Sequence, residues 1–155
     1  MHATLVPTAL DTSLIISELK NRRRETALAE MVSRAAEAGA VRSAGALLDL
    51  LATREKQVSA ALGHGVALLA ARSLAVPESR LILGRSRRGI DWTAPDAEPV
   101  RMIALLLSPA DRTLASHLAA VVRMAALLRQ QRSRNKLLEA VSAADLAAVM
   151  REALA

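Results

Sequence analysis

Apolar residues recur along this chain at two different periods, and segments of the two kinds alternate. Ser13–Leu19 is short and partly β-branched and reads as a first strand. After the charged run Lys20–Arg24, residues Ala27, Leu28, Met31, Val32, Ala35 and Ala36 fall at the spacing of one helical face, and Gly39 supplies the stop. Ser43 is a natural cap for a second helix with Leu47, Leu48 and Leu51 on one side and Arg54 at its end. Val58–Leu69 then reads as extended chain broken by Gly63 and Gly65. Pro77 marks a loop. Arg80–Arg85 is a strand candidate, Ser86–Gly89 a turn, and Ile90–Pro99 mostly loop. Val100–Ser108 is almost wholly apolar between two prolines, the pattern of a central strand covered on both faces.

From Thr113 the helical period returns, with Leu114, His117, Leu118, Val121, Ala125 and Leu128 on the expected inner stripe. A shorter helix is expected over Ser133–Val141. Ser142-Ala-Ala-Asp145 resembles a capping box opening a last helix that carries Leu146, Val149 and Met150. Strands alternating with helices predict one α/β layered domain over residues 1–155: a mixed sheet of about four to five strands flanked by helices.

Composition narrows the chemistry. The core must be aliphatic, because the chain has one Trp and neither Phe nor Tyr. It has no Cys, which excludes disulfides, thiolate metal sites and cysteine nucleophiles. Nothing in the pattern calls for a cofactor or a metal. The formal charge is +6, nearly all of it from Arg. That balance raises the prospect of an anionic partner, and two basic groups stand out: Arg85, Arg87 and Arg88, then Arg129, Arg132, Arg134 and Lys136. An anion or nucleic-acid binding module is therefore an alternative reading. The lack of aromatics for base stacking argues against nucleic acid. The first residues lack a signal-peptide pattern, and apolar runs such as Met102–Leu107 are too short to cross a membrane. A soluble cytoplasmic protein without membrane insertion is expected, with His2 near its terminus and without a role.

The stretch with most chemical promise is Gly63-His-Gly-Val-Ala-Leu-Leu-Ala-Ala-Arg72. Paired glycines suit positive φ or close backbone approach, although Gly-His-Gly is also an ordinary turn. Further motifs follow a fixed order around it: Arg54-Glu-Lys before, then Leu83-Gly-Arg-Ser-Arg-Arg-Gly-Ile-Asp-Trp92, Pro99-Val, Ala104-Leu-Leu-Leu-Ser-Pro109 and Ser116-His-Leu118. This order resembles the type 2 enzyme IIA domains of the bacterial sugar phosphotransferase system, the fructose/mannitol domains and their nitrogen-regulatory branch, from about Leu5 to the C-terminus.

The resemblance implies a phosphocarrier. In that family a histidine in a Gly-x-Gly-φ-Ala-φ-Pro-His-Ala-Arg motif accepts phosphate from the phosphocarrier protein HPr or a relative. Here Leu69 stands at the proline position and Ala70 at the histidine position. An alanine side chain has no lone pair and cannot act as the nucleophile. The resemblance assigns supporting roles to Arg54, which would stabilise a transferred phosphoryl group, to His117 as a second histidine near the acceptor, to Arg72, and to Ser59 as a small hydroxyl position. His64 is the possible substitute acceptor. Each also has a plainer reading: Arg54 as a favourable charge at a helix end, His117 as a packed core histidine, His64 as part of a turn. Three functions follow in order: a degenerate IIA-like binding or regulatory module, not phosphorylated at the usual site and hence without enzymatic activity; an active carrier using His117 or His64; an anion-binding module. The expected partner is a protein, either an HPr-like carrier or a regulated transporter or kinase. Arg54, His117 and Ala70 are expected to meet at one depression beside the Gly63–Gly65 turn.

Overall fold

The computed structural model describes residues 11–92 and 94–154. His2 and the start of the IIA-like resemblance near Leu5 lie outside the described residues. A 3-10 turn at Thr12–Leu14, capped by the Asp11 carboxylate on Ser13 N, leads into strand β1, Ile15–Ile16. Helix α1, Arg24–Glu37, buries Ala27, Leu28, Met31, Val32 and Ala35, and Gly39 follows it at φ +78°. Helix α2, Ala44–Gln57, is capped by Ser43, whose hydroxyl accepts from Ala46 N. Then come β2 (Ala61–Gly63), β3 (Val66–Ser73), β4 (Arg80–Ile90) and β5 (Val100–Pro109). Helices α3 (Leu114–Arg129), α4 (Gln131–Glu139) and α5 (Ala143–Leu154) close the chain. The capping box before α5 forms: Ser142 Oγ accepts from Asp145 N, and the Asp145 carboxylate accepts from Val141 N.

The five strands make one mixed sheet in the order β1-β4-β5-β3-β2. β5 is central, parallel to β3 and antiparallel to β4. Its alternate side chains feed two cores. Ile103, Leu105 and Leu107 pack with α1 and α2, while Met102, Ala104 and Leu106 pack with α3, α4 and α5. That two-sided burial is why the segment is apolar without alternation. β3 divides in the same way: Ala67, Leu69 and Ala71 face α1 and α2, and Val66, Leu68 and Ala70 face the opposite layer.

Four expectations need correction. Only Ile15–Ile16 of the first predicted strand enters the ladder, because a 3-10 turn consumes its start and Leu19 N instead donates to Arg85 O. Ser86–Gly89 is not a turn: β4 continues through it to Ile90, with a register shift between Arg85 and Ile90 and with Gly89 at φ +90°. A bulge accommodates the polar residues within the strand. The inner stripe of α3 is rotated from the predicted one, burying His117, Ala120, Met124, Leu127 and Leu128 while Leu114 and Leu118 are exposed. A helix apolar on nearly every side does not announce its inner face.

The fourth concerns the two basic groups. Arg85 is fully buried. Its Nε donates to Ser17 O, and its Nη1 donates to Leu137 O and Ala140 O at the end of α4. Burial above all, and then the charge of Arg87, draw its pKa below the usual arginine value. Arg87 joins it on Ala140 O, Arg134 Nη1 donates to Leu128 O and Arg129 O at the end of α3, and Lys136 pairs with Glu152. Cations at helix C-termini satisfy orphan carbonyls. Much of what reads as an anion-binding surface is spent inside the fold. No helix among the described residues is long and apolar enough to cross a membrane.

Candidate functional site

β3 has a partner on one side throughout but on the other only at its start. β2 pairs through Ala61 with Ala67, and Leu68 N donates to Ala60 O. Among the described residues, the outer edge of β3 has no ladder partner beyond Leu68. Arg54, in the last turn of α2, reaches across this edge, and its Nη1 donates to Ala70 O at 2.9 Å. The contact also completes a free strand edge that would otherwise expose a carbonyl.

A depression of about 200 Å³ straddles that edge, lined by Arg54, Glu55, Ser59, Leu68, Leu69 and Ala70 among others. Glu55 is the member that sequence reasoning missed. Its carboxylate accepts from Ala60 N at 2.6 Å and from Trp92 Nε1 at 3.2 Å, and it lies 3.6 Å from Arg24. It therefore pins the Ser59–Ala60 segment to the body of the molecule and leaves Arg54 outward. Ser59 Oγ accepts from Ala61 N. The only signal for Glu55 in the sequence is its place beside Arg54.

The methyl of Ala70 faces the layer of α3, α4 and α5, and α3 carries the buried His117. Ala70 lies opposite Leu106 in the ladder, and two positions on, Arg72 lies opposite Ser108. Ser108 Oγ and His117 Nδ1 are 3.0 Å apart and both residues are buried. Ser108 is the second residue not singled out beforehand. The serine fixes the ring, and the imidazole is only 4% exposed. Burial first, then the charges of Arg72, Arg54 and Arg112, hold the His117 pKa below its ordinary value. The ring is neutral at pH 7 for two of the reasons that make imidazolium costly: desolvation and like charge. Arg72 Nη1 donates to Arg112 O, and Arg112 Nη1 to Ser79 Oγ, so these two cations also brace the loops around the site. Among the described residues, Arg54, Arg72 and Arg112 take part in no ion pair.

Arg54, Ser59 and Ala70 thus line one depression, whereas His117, expected to join them, is not among its lining residues and is buried on α3 against Ser108. His64 does not belong to this group. The turn Gly63-His64-Gly65 lies at the other end of β3, roughly 16 Å from Ala70 for five residues of strand. Its expected adjacency to the depression is corrected accordingly, because the β2–β3 hairpin points its tip away from α2. At the depression, the Arg54 guanidinium and half-exposed backbone can receive an anion or a polar protein surface. No described side chain there offers an accessible nucleophilic nitrogen. No metal-ligating cluster of His, Asp and Glu is found among the described residues.

Known proteins match this chain along almost its whole length. A fructose-specific EIIA component of the phosphotransferase system from Haloferax volcanii is 30% identical over 152 residues, covering 98% of both chains. A nitrogen regulatory protein of Bradyrhizobium diazoefficiens is 36% identical over 126 residues, 79% of both. The fructose-specific EIIABC component of Bacillus subtilis is 28% identical over 124 residues, but the chain spans only 19% of that relative's length. Among solved structures, nitrogen regulatory protein IIA-Ntr of Neisseria meningitidis superposes with a TM-score of 0.82 at 27% identity, covering 91% of this chain and 95% of that one. The family profile described as "Phosphoenolpyruvate-dependent sugar phosphotransferase system, EIIA 2" matches residues 8–153, and the chain belongs to that family.

Proposed function

We propose that this protein is a IIA-type module that has lost its phosphoacceptor and works by binding a protein partner rather than by carrying phosphate. The reading rests on Ala70, which the motif resemblance sets at the acceptor position: it is half-buried, and Arg54 donates to its carbonyl. A phosphoryl group arriving there meets the Arg54 guanidinium but no imidazole nitrogen to accept it. The relatives support a choice between two settings, since two are named fructose-specific and two are named nitrogen regulatory. The absence of an acceptor favours the regulatory one, in which the module stays permanently in its unphosphorylated binding form. Its partner is then an HPr-like carrier or a regulated transporter or kinase, met in the cytoplasm.

The competing reading is a working carrier that uses His117 or His64. His117 lacks access, since an in-line attack needs an exposed ring nitrogen and this ring is buried against Ser108. His64 has access but stands far from the cations Arg54 and Arg72. One assay separates the two readings. The protein is incubated with labelled phosphoenolpyruvate, enzyme I and the carrier protein. No label on any histidine is expected; label on His117 or His64 overturns the proposal.

A further inference from the structure

We propose that the far end of the molecule holds a second binding site, for a small zwitterion of the free amino-acid class. It lies in the cleft between the β2–β3 turn, the loop before β5 and the start of α4, and it does not depend on the reading of Ala70. The cleft has a volume of about 390 Å³, within the range of small-ligand sites.

The backbone there is held in an unusual state. Among the described residues only two non-glycine residues have positive φ, His64 at 55° and Ala97 at 60°, and they lie in the two loops that form this cleft. A left-handed conformation is costly for residues with a side chain, and such outliers persist where surrounding contacts enforce them. The enforcing group is Asp96. One carboxylate oxygen accepts from His64 N at 2.8 Å and the other from Glu98 N at 3.1 Å. The His64 N–H first and the Glu98 N–H second draw the Asp96 pKa below the usual carboxylate value. Gly65 O in turn accepts from both Arg101 N and Met102 N, which closes the turn on β5.

The charges lining this cleft specify the ligand. Arg101 and Arg134 stand with Asp96 and Glu98, so the lining is electrically balanced. Yet Arg101 and Glu98 form no ion pair with each other or with any described residue. Asp96 is engaged by His64 N and Glu98 N, and Arg134 by the carbonyls of Leu128 and Arg129, which leaves Arg101 and Glu98 as one charge of each sign. A ligand with an α-carboxylate and an α-ammonium group satisfies both. Arg101 would take the carboxylate, helped by the positive end of α4 at Gln131, whose preceding residue Gln130 makes no side-chain capping bond. Glu98 would take the ammonium. The amides of Gln131 and Asn135 favour a polar side chain, and Leu138 gives its stem an apolar wall.

The test uses the full chain and three probes: L-glutamine, glutarate (which lacks the ammonium group) and putrescine (which lacks the carboxylate). Backbone amide chemical shifts of Gly63, Gly65, Gln131 and Asn135 are followed during titration. Saturable shifts with L-glutamine are expected, with glutarate and putrescine at least tenfold weaker. Arg101→Ala and Glu98→Gln should each weaken L-glutamine binding by at least tenfold while leaving Tm within a degree or two. No saturable shift below about 10 mM L-glutamine, or equal binding of glutarate, overturns the proposal. So does unchanged affinity in both charge variants.

Discussion

At the Ala70 end of β3, three guanidiniums act on one buried imidazole, and the carboxylate that lines the depression, Glu55, is turned inward onto Ala60, Trp92 and Arg24. At the Gly65 end, two guanidiniums and two carboxylates face one cleft. The backbone differs as well. The Ala70 end is a regular strand whose free edge is finished by a side chain, while the Gly65 end carries three consecutive residues at positive φ held by Asp96. One strand thus joins a regular, cation-lined site to a strained, charge-balanced one. Regularity at the first end fits a site that loses activity through a single side chain and keeps its shape. Strain at the second is maintained only by contacts, so it should respond to small changes there.

The sharpest way to break the comparison is to restore a nucleophile at the first end. Ala70→His should convert a chain that takes no label from phosphoenolpyruvate, enzyme I and carrier into one that does. A variant that folds but stays unlabelled would mean that Leu69 and the surroundings have drifted beyond rescue. At the second end, Gly65→Ala forces an L-residue to φ +79° and should cost about 1–2 kcal/mol in a denaturant melt. Its new methyl would sit 3.5 Å from Pro99 O, an ordinary contact, so the cost is conformational rather than steric. Arg54→Ala, by contrast, removes one exposed hydrogen bond from the regular end and should cost only about 0.5–1 kcal/mol. A larger loss would show that the strand edge depends on Arg54 as heavily as the turn depends on glycine.

The smallest effect concerns pH. The pKa of His117 in the folded protein lies below 6.5, its ordinary value. As pH falls, the unfolded chain therefore takes up its proton first. The stabilising contribution is fully present above pH 6.5 and is lost as pH drops through the lower folded value. Thermal melts across this window should show Tm falling on acidification, with a shallower slope in His117→Gln.

The layered α/β plan is legible in the residues because burial on both faces leaves its mark: Val100–Ser108 is apolar without a break and lies at the centre of the sheet. Local chemistry is equally readable at Ser43, Gly39 and the Ser142–Asp145 box, where a single side chain or a positive φ defines a helix end. What fails is whatever depends on partners distant in sequence. Ser86–Gly89 has turn composition, but it forms a bulge within β4, whose ladder with β5 stops at Arg85 and resumes at Ile90 opposite Val100. Leu114 and Leu118 look like core residues by spacing, but His117, Ala120, Met124, Leu127 and Leu128 take the inner position of α3. At the site, Ala70, Arg54 and Arg72 are legible through a motif. Glu55 and Ser108 are not, because their role is to hold other groups and appears only once those groups are in place. His64 drew attention through its flanking glycines, and the structure moves it to a different end of the molecule.

The buried guanidinium of Arg85 has a consequence for how the chain can be made. Its acceptors at Leu137 and Ala140 lie 52 and 55 residues downstream. During synthesis β4 leaves the ribosome well before these carbonyls exist, and a buried charge without its acceptors is strongly unfavourable. The sheet therefore cannot seal around Arg85 until α4 has emerged, so folding waits for the last fifth of the chain. Nascent chains stalled short of residue 137 should be cut readily by a protease, and those released with α4 complete should resist it.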